Sequence, residues 1–181
     1  MNLLLFPGAG SSSTHPSLLA IEAAVAPMHC VRADFPYRKA GRKAPDRTPL
    51  LLQAVRDEAA PLVDGGLVLG GRSMGGRMCS MVVANVDDPL PARGLVLISY
   101  PLHPPGKPES LRVEHLPRLT VPCLFIHGSR DPFGSPTELQ PWMETIPGKV
   151  THHWIEGRGH DLKGCDAVIA RLVAEWISAL G

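Results

Sequence analysis

Short apolar runs rich in β-forming residues alternate with helical patterns along the whole chain. Such alternation is typical of βα units built around a mostly parallel sheet. We predict six strands, at residues 2–6, 30–35, 67–70, 94–99, 122–127 and 150–155. The 181 residues fit one domain. The predicted fold is therefore α/β: a single domain over residues 1–181, arranged as a three-layer α/β/α sandwich with a mostly parallel six-stranded sheet.

The composition of the runs predicts how the sheet is ordered. Residues 95–98 and 123–126 are continuously apolar, which indicates central strands covered by helices on both faces. Residues 30–35 and 150–155 contain polar side chains and suit positions near the edges. Helices are predicted to start at His15-Pro16, Thr48-Pro49 and Ser135-Pro136, and to occupy 74–85, 166–180 and, within the proline-rich stretch 100–119, residues 109–115.

The charge balance excludes several kinds of partner. Lysine and arginine number 18 against 17 acidic residues, which gives a net charge of +1, so we expect neither a nucleic acid nor a membrane as a partner. The apolar start of the chain ends at Pro7 and is short for a signal peptide or a membrane span, which predicts a cytoplasmic protein. No C-x-x-C pair occurs, so we predict free thiols, no metal and no other cofactor; the cysteines are Cys30, Cys79, Cys123 and Cys165.

One glycine-rich segment has the pattern of a catalytic turn. Residues 71–75 read G-R-S-M-G and lie between an apolar strand and a helical stretch. A serine held on such a tight strand-to-helix turn needs small neighbours on both sides, which Gly71 and Gly75 supply. Ser73 is therefore a candidate nucleophile, and a glycine-rich turn without catalytic function is the alternative.

Two later strands end in residues that could activate a serine. Asp131 follows the strand at 122–127 after a glycine turn, and His160 follows the last strand between glycines. A serine hydroxyl must lose its proton as it attacks, so a histidine base and an aspartate that orients it are the partners it needs.

These segments resemble small serine hydrolases of the α/β-hydrolase fold, similar to dienelactone-hydrolase-like, carboxylesterase and thioesterase proteins, in which the triad has the same chain order. The resemblance extends over nearly the whole chain and is strongest at residues 6–10, 71–75, 127–131 and 157–160. It implies that Ser73, His160 and Asp131 cleave an ester or thioester of a small soluble substrate through an acyl-enzyme. It also implies an oxyanion hole made by the backbone N–H groups of Ala9 and Met74.

The chain departs from that family in three ways. Ser73 stands where dienelactone hydrolases carry cysteine, and Cys79 lies too far along the next helix to replace it, so dienelactone chemistry is not expected. The strand that carries the oxyanion loop opens the chain, which predicts a truncated, six-stranded version of the fold. The stretch 100–119 is short for a lid, so we expect an open site.

The expected substrate follows from what could line such a site. Without a lid, Tyr100, Leu102 and Phe133 are the predicted wall, and so little apolar surface suits short acyl groups. Arg72 is a further candidate for substrate binding, as one of three arginines within two residues of a predicted triad member. Arg72, Arg130 and Arg158 have two interpretations: ion pairs with loop carboxylates such as Asp34 or Glu156, which we favour, or a positive rim for an anionic substrate.

Other polar residues offer alternative roles. Asp34 is the second candidate for the catalytic acid, whereas Asp161 is adjacent to the histidine and poorly directed. His127 is predicted to pack or to hold its turn, His15 to cap a helix rather than contact substrate, and His152-His153 to have surface or packing roles.

Two other functional classes stay open from the sequence. Residues 8–13 read G-A-G-S-S-S and approach a dinucleotide fingerprint, but the third glycine is missing and Ser73, Asp131 and His160 would be unexplained. A catalytically silent binding or scaffold protein with the same fold is the second alternative. We expect a monomer or a weak homodimer.

Overall fold

All six strands belong to one parallel sheet in the computed structural model, which describes residues 1–181. The strands are β1 (Asn2–Phe6), β2 (His29–Arg32), β3 (Leu67–Arg72), β4 (Gly94–Ile98), β5 (Cys123–Gly128) and β6 (Val150–Ile155). Their order is β2-β1-β3-β4-β5-β6, with every neighbouring pair parallel. The predicted α/β fold is confirmed, and β2 and β6 lie at the edges as their polar residues indicated.

The chain also contains six α-helices, and several begin where the sequence predicted. His15 Nδ1 accepts a hydrogen bond from the Ser17 backbone N–H at 3.2 Å, and Ser135 opens a capping box with Glu138. The helices are α1 (Pro16–Val25), α2 (Pro36–Lys39), α3 (Thr48–Ala59), α4 (Met74–Val83), α5 (Pro136–Met143) and α6 (Asp166–Ser178). None of them is long and apolar enough to cross a membrane.

The sheet separates two apolar layers. Along β1, Leu3 and Leu5 belong to the layer with α1 and α6, while Leu4 and Phe6 belong to the layer with α3, α4 and α5. All four side chains are fully buried, and burial of each contributes about 1.5–3 kcal/mol. Strands β1 and β4 therefore have apolar side chains on both faces, which explains their apolar runs.

The segment 100–119 is a loop packed on the protein rather than a lid. The predicted helix at 109–115 is wrong: only a short 3₁₀ helix forms, at Leu116–Arg118. The backbone groups of Arg112 bond outside any helix: its N–H donates to the Leu102 carbonyl at 2.9 Å, and its carbonyl accepts from Tyr100 Oη at 2.6 Å. Buried apolar side chains then anchor the loop to the core: Val113, Leu116 and Leu119.

The cysteines are all free thiols, as predicted. Three are buried and Cys30 is half-buried. Burial raises the pKa of the Cys30 and Cys123 thiols to about 12, which keeps both protonated at neutral pH.

Candidate active site

The parallel sheet brings Ser73, Asp131 and His160 to one edge. Loops that follow parallel strands emerge at the same end of a sheet, and ligands bind there in α/β proteins. Ser73 follows β3, Asp131 follows β5 and His160 follows β6. Residues separated by 87 positions in sequence, Ser73 and His160, are therefore hydrogen-bonded to each other.

Ser73 lies on a strained turn between β3 and α4. Its φ is 48° and its ψ is −117°, a conformation that a residue with a side chain rarely adopts. A Cβ atom on Gly75 would lie 2.5 Å from the Phe6 carbonyl oxygen and 2.6 Å from that of Pro7, and the Phe6 carbonyl also crowds Gly71. The glycines of G-x-S-x-G are thus required by the close approach of the end of β1.

The three predicted residues form a continuous hydrogen-bonded chain. His160 Nε2 lies 2.8 Å from Ser73 Oγ, and His160 Nδ1 lies 2.8 Å and 3.0 Å from the two carboxylate oxygens of Asp131. A carboxylate only accepts hydrogen bonds, so Nδ1 is the donor and carries the proton of the neutral imidazole. Nε2 is then free to accept the hydroxyl proton of Ser73.

Asp131 and His160 are held in place by Phe133. The Phe133 backbone N–H donates to Asp131 Oδ1 at 2.8 Å, which fixes the carboxylate in a tight turn. The Phe133 ring stacks on the imidazole of His160, with 3.9 Å between centroids and 25° between planes. The Asp131 side chain is fully buried, whereas that of His160 is 23% exposed, so the imidazole can be reached from solvent.

The loops that carry Asp131 and His160 are bound directly to each other. The Arg130 N–H donates to the Arg158 carbonyl at 2.9 Å, and the Gly157 N–H donates to Ser129 Oγ at 2.8 Å. A Cβ atom on Gly128 would collide with the Arg158 carbonyl oxygen. The glycine after His127 therefore lets the two loops meet, which sets the distance between Asp131 and His160.

A cavity of about 630 Å³ opens beside Ser73. Its lining includes Ala9 and Met74, the two predicted oxyanion residues. The Ala9 N–H makes no backbone hydrogen bond, and Met74 is the first residue of α4, so its N–H has no partner within the helix. The position of Ala9 is fixed from α2, because Tyr37 Oη donates to the Ala9 carbonyl at 2.8 Å.

Four further residues were predicted to bind substrate, and the structure separates them. Phe133 and Arg72 line the cavity, but Tyr100 and Leu102 do not. Tyr100 and Leu102 are essentially fully buried, and both belong to the apolar core of the protein. The expectation that these two side chains form the pocket wall is therefore wrong. They instead anchor the start of the loop at 100–119 to the core.

The three arginines near the triad also differ from each other. Arg72 is buried and donates to Ser17 Oγ at 3.3 Å and to the Asp161 carbonyl at 2.7 Å. Burial lowers the pKa of Arg72, and the charges of Asp166, Asp161 and Asp131 oppose that shift. Arg130 and Arg158 are exposed and do not line the cavity. None of the three arginines forms an ion pair with Asp34, Glu156 or any other carboxylate, so the favoured interpretation was wrong.

The alternative polar residues have other contacts. Asp34 accepts hydrogen bonds from the Ser13 N–H and hydroxyl, at 2.7 Å and 2.8 Å, and not from His160. His127 is fully buried, its Nε2 lies 3.2 Å from the Tyr100 carbonyl, and burial lowers its pKa to about 4. His15 caps α1 as predicted, and its ring also lines the cavity. Cys79 is buried on α4, and its Sγ donates to the Gly70 carbonyl.

The sequence did not predict several of the residues that line the cavity. Five of these residues, which we call the cavity wall, are Leu51, Arg77, Met78, Pro101 and Arg112. Arg77 lies four residues after Ser73 in G-x-S-x-G-G-R, so helical spacing places it one turn beyond the nucleophile. The others come from α3, α4 and the loop at 100–119, where no local pattern marks them.

Comparison with known proteins gives one family and several similar structures. A family model described as an alpha/beta hydrolase domain matches residues 1–171. Est1E from Butyrivibrio proteoclasticus is 14% identical, with 99% of this chain and 87% of that one covered and a TM-score of 0.78. The esterase domain of a Rhodothermus marinus protein is 13% identical, with 99% and 88% covered and a TM-score of 0.73.

A third similar structure is the RedJ thioesterase of the prodiginine biosynthetic pathway in Streptomyces coelicolor. It is 17% identical, with 96% of this chain and 85% of that one covered and a TM-score of 0.70. At such low identity these three likenesses show a shared fold.

Proposed function

The chain belongs to the alpha/beta hydrolase domain family, and from this premise we propose that it is a serine hydrolase acting on ester or thioester bonds of small soluble substrates. The observation that carries the proposal is the unbroken chain from Ser73 Oγ through His160 to Asp131, with 2.8 Å at each link. Similar structures named as an esterase domain and a thioesterase support the two bond types.

In the proposed reaction, His160 Nε2 accepts the hydroxyl proton as Ser73 Oγ attacks the substrate carbonyl carbon. Asp131 keeps the Nδ1 proton in place and stabilises the imidazolium that forms. The protonated Nε2 then donates its proton to the departing alcohol or thiol, which leaves an acyl group on Ser73. Water attacks that acyl group by the same route, with His160 again as the base, and releases the acid.

The proposed oxyanion hole serves the negative charge that develops on the carbonyl oxygen. Two N–H groups without backbone partners, at Ala9 and Met74, line the cavity on which Ser73 opens. Backbone donors require no charged side chain, so side-chain substitutions at these positions test them poorly. The strained turn contributes by holding Ser73 Oγ where an acyl carbon can approach.

A fluorophosphonate probe tests this proposal, because it phosphonylates an activated serine hydroxyl. We expect labelling of the wild-type protein and of Ser110→Ala, an exposed serine outside the cavity, and no labelling of Ser73→Ala. Hydrolysis of 4-nitrophenyl acetate should fall by at least roughly 10³-fold in Ser73→Ala. The Ser73→Ala protein should retain its circular dichroism spectrum, since Ser73 Oγ bonds only to His160.

Two results would contradict the proposal. Labelling that persists in Ser73→Ala would mean that another serine is the nucleophile. A folded wild-type protein that neither reacts with the probe nor hydrolyses the ester would favour the alternative, a catalytically silent binding or scaffold protein with this fold.

A further inference from the structure

Arg77 and Arg112 lie in the catalytic cavity without any ion-pair partner. Both line the cavity that Ser73 and His160 share. Seven ion pairs or histidine–carboxylate contacts occur in the protein, and neither arginine takes part in them. The Nε atom of Arg77 is buried and has no hydrogen-bond partner. A buried guanidinium donor without a partner is costly, so its placement requires an explanation.

The position of Arg77 on α4 does not explain why its guanidinium is left without a partner. Arg77 is the fourth residue of α4, whose amino-terminal end carries the positive pole of the helix dipole, and a cation there is unfavourable. The charge of Arg77 adds to burial in lowering the pKa of both Arg112 and His115. Of the groups that shift the pKa of Arg112 and His115, none is a carboxylate.

Arg72, in the same cavity, shows what a structural arginine looks like here. Its guanidinium donates to Ser17 Oγ and to the Asp161 carbonyl, and three carboxylates act to raise its pKa. Arg72 joins the nucleophile strand to the loop after His160, so its charge has a role within the fold. Arg77 and Arg112 have no such compensation.

The backbone holds Arg112 in a fixed position. Its N–H donates to the Leu102 carbonyl and its carbonyl accepts from Tyr100 Oη, so the residue is tied on both sides to the base of the loop at 100–119. Arg77 is held on α4, where its N–H donates to the Ser73 carbonyl at 3.0 Å. The two guanidinium groups therefore extend from positions that are set relative to the nucleophile.

We propose that Arg77 and Arg112 form an anion-binding subsite of the catalytic cavity, which recognises a carboxylate carried by the substrate. This inference rests on the proposed hydrolase function and names its substrate class. Guanidinium groups bind carboxylates through paired, charge-assisted hydrogen bonds. Two acidic residues also line the cavity, Asp46 in an ion pair with Arg42 at 2.7 Å and the exposed Asp161. Neither of these acidic residues forms an ion pair with Arg77 or Arg112.

The test compares matched neutral and anionic substrates. In one arm the carboxylate is on the acyl group: mono-4-nitrophenyl glutarate is compared with 4-nitrophenyl pentanoate. In the other arm it is on the leaving group: 4-acetoxybenzoate is compared with methyl 4-acetoxybenzoate. The measured quantity is the ratio of kcat/KM for the anionic ester to that for the neutral ester, corrected for spontaneous hydrolysis. A ratio does not depend on how much of a variant is folded.

We expect a ratio well above one in at least one arm for the wild-type protein. Arg77→Gln and Arg112→Gln should each lower that ratio by roughly tenfold, because each removes a charge-assisted contact. Arg130→Gln is the matched control, an exposed arginine outside the cavity, and should keep the wild-type ratio. Raising the salt concentration should lower the wild-type ratio, since the cavity is open to solvent ions.

The outcomes separate this inference from the proposed function. If the neutral esters are hydrolysed but the ratio is one or less in both arms, the subsite proposal is wrong and the hydrolase proposal stands. A ratio unchanged in Arg77→Gln and Arg112→Gln, or lowered equally in Arg130→Gln, also overturns the subsite. If no ester of either kind is hydrolysed, the proposed function itself fails.

Discussion

The triad and the cavity wall lie side by side at the carboxyl edge of the sheet but are built differently. The triad residues follow strand ends and are joined by direct hydrogen bonds of 2.8–3.0 Å. The cavity wall takes residues from α3, α4 and the loop at 100–119, and its two arginines have no ion-pair partner. The triad side chains are hydrogen-bonded to one another, as a fixed reaction requires. The two arginines of the wall are available for the proposed contact with a substrate.

If this contrast holds, substitutions in the triad should lower kcat/KM for every substrate, and by a much larger factor than substitutions in the wall. Asp131→Asn should lower kcat/KM for activated esters by roughly 10⁴-fold, because an amide can present its NH₂ to Nδ1 and favour the wrong imidazole tautomer. Asp34→Asn should change it only a few-fold, since Asp34 bonds to Ser13 and not to His160.

Steady-state kinetics on 4-nitrophenyl acetate measures both variants. The reverse ranking would transfer the role of the acid to Asp34, although the distance from Asp131 to His160 argues against it. Equal small effects would mean that the imidazole is oriented by the Phe133 ring rather than by a carboxylate, and the triad would lose its third member.

The same contrast explains what the sequence could predict. The triad lies in short segments, because a strand end, a glycine turn and a catalytic side chain must be adjacent in sequence when loops meet at one edge. Strand positions were predicted to within a few residues because buried parallel strands need apolar runs. The sequence indicated that Gly71, Gly75 and Gly128 belong to tight turns, although backbone atoms that crowd them come from segments distant in sequence.

The wall could not be predicted for a physical reason. Tyr100 and Leu102 follow a strand end, and sequence position alone suggested that they face the cavity. Tyr100 instead directs its hydroxyl to the Arg112 carbonyl, twelve residues away, and both side chains are buried in the core. Which residues of an irregular loop face inward depends on such tertiary contacts, which have no periodic pattern in the sequence.

A smaller effect tests the contact between the loop at 100–119 and α4. His115 lies in the loop at 100–119, and its Nε2 is 2.7 Å from Ser80 Oγ on α4. Burial lowers the pKa of His115 from its ordinary 6.5 to about 4, with the charges of Arg77 and Arg118 adding to the shift. Between these values the unfolded chain binds a proton that the folded protein does not, so stability falls as the pH drops from 6.5 towards 4.

His115→Gln should remove this contribution, since an amide can keep the contact to Ser80 without titrating. We expect the free energy of unfolding to fall less between pH 7 and pH 5 in this variant, by about 2 kcal/mol. His152→Gln, on the exposed side of β6, is the control and should behave as the wild-type protein does. Urea denaturation at several pH values measures the difference. If the free energy of unfolding depends on pH equally in all three proteins, His115 does not contribute to the loss of stability in acid.

The smallest expected effect concerns the length of the acyl group. The apolar part of the cavity is limited to a few side chains, with Met78 on α4 and Leu51 on α3 among them. A methylene group that reaches such a surface contributes about 0.8 kcal/mol, or about fourfold in kcat/KM, and one beyond it contributes nothing. For the wild-type protein we therefore expect activity on 4-nitrophenyl esters to peak at roughly four acyl carbons or fewer.

Met78→Ala should extend that peak by one or two carbons, because the cavity deepens where the methionine side chain was. Met81→Ala is the matched control, since Met81 is on the same helix but does not line the cavity. Only the ratio of kcat/KM between ester lengths is compared, so a loss of stability common to both variants does not affect the result. If Met81→Ala also prefers a longer acyl chain, or if Met78→Ala does not, the acyl group does not reach the wall. The contrast between triad and wall would then concern only how residues pack at this edge of the sheet.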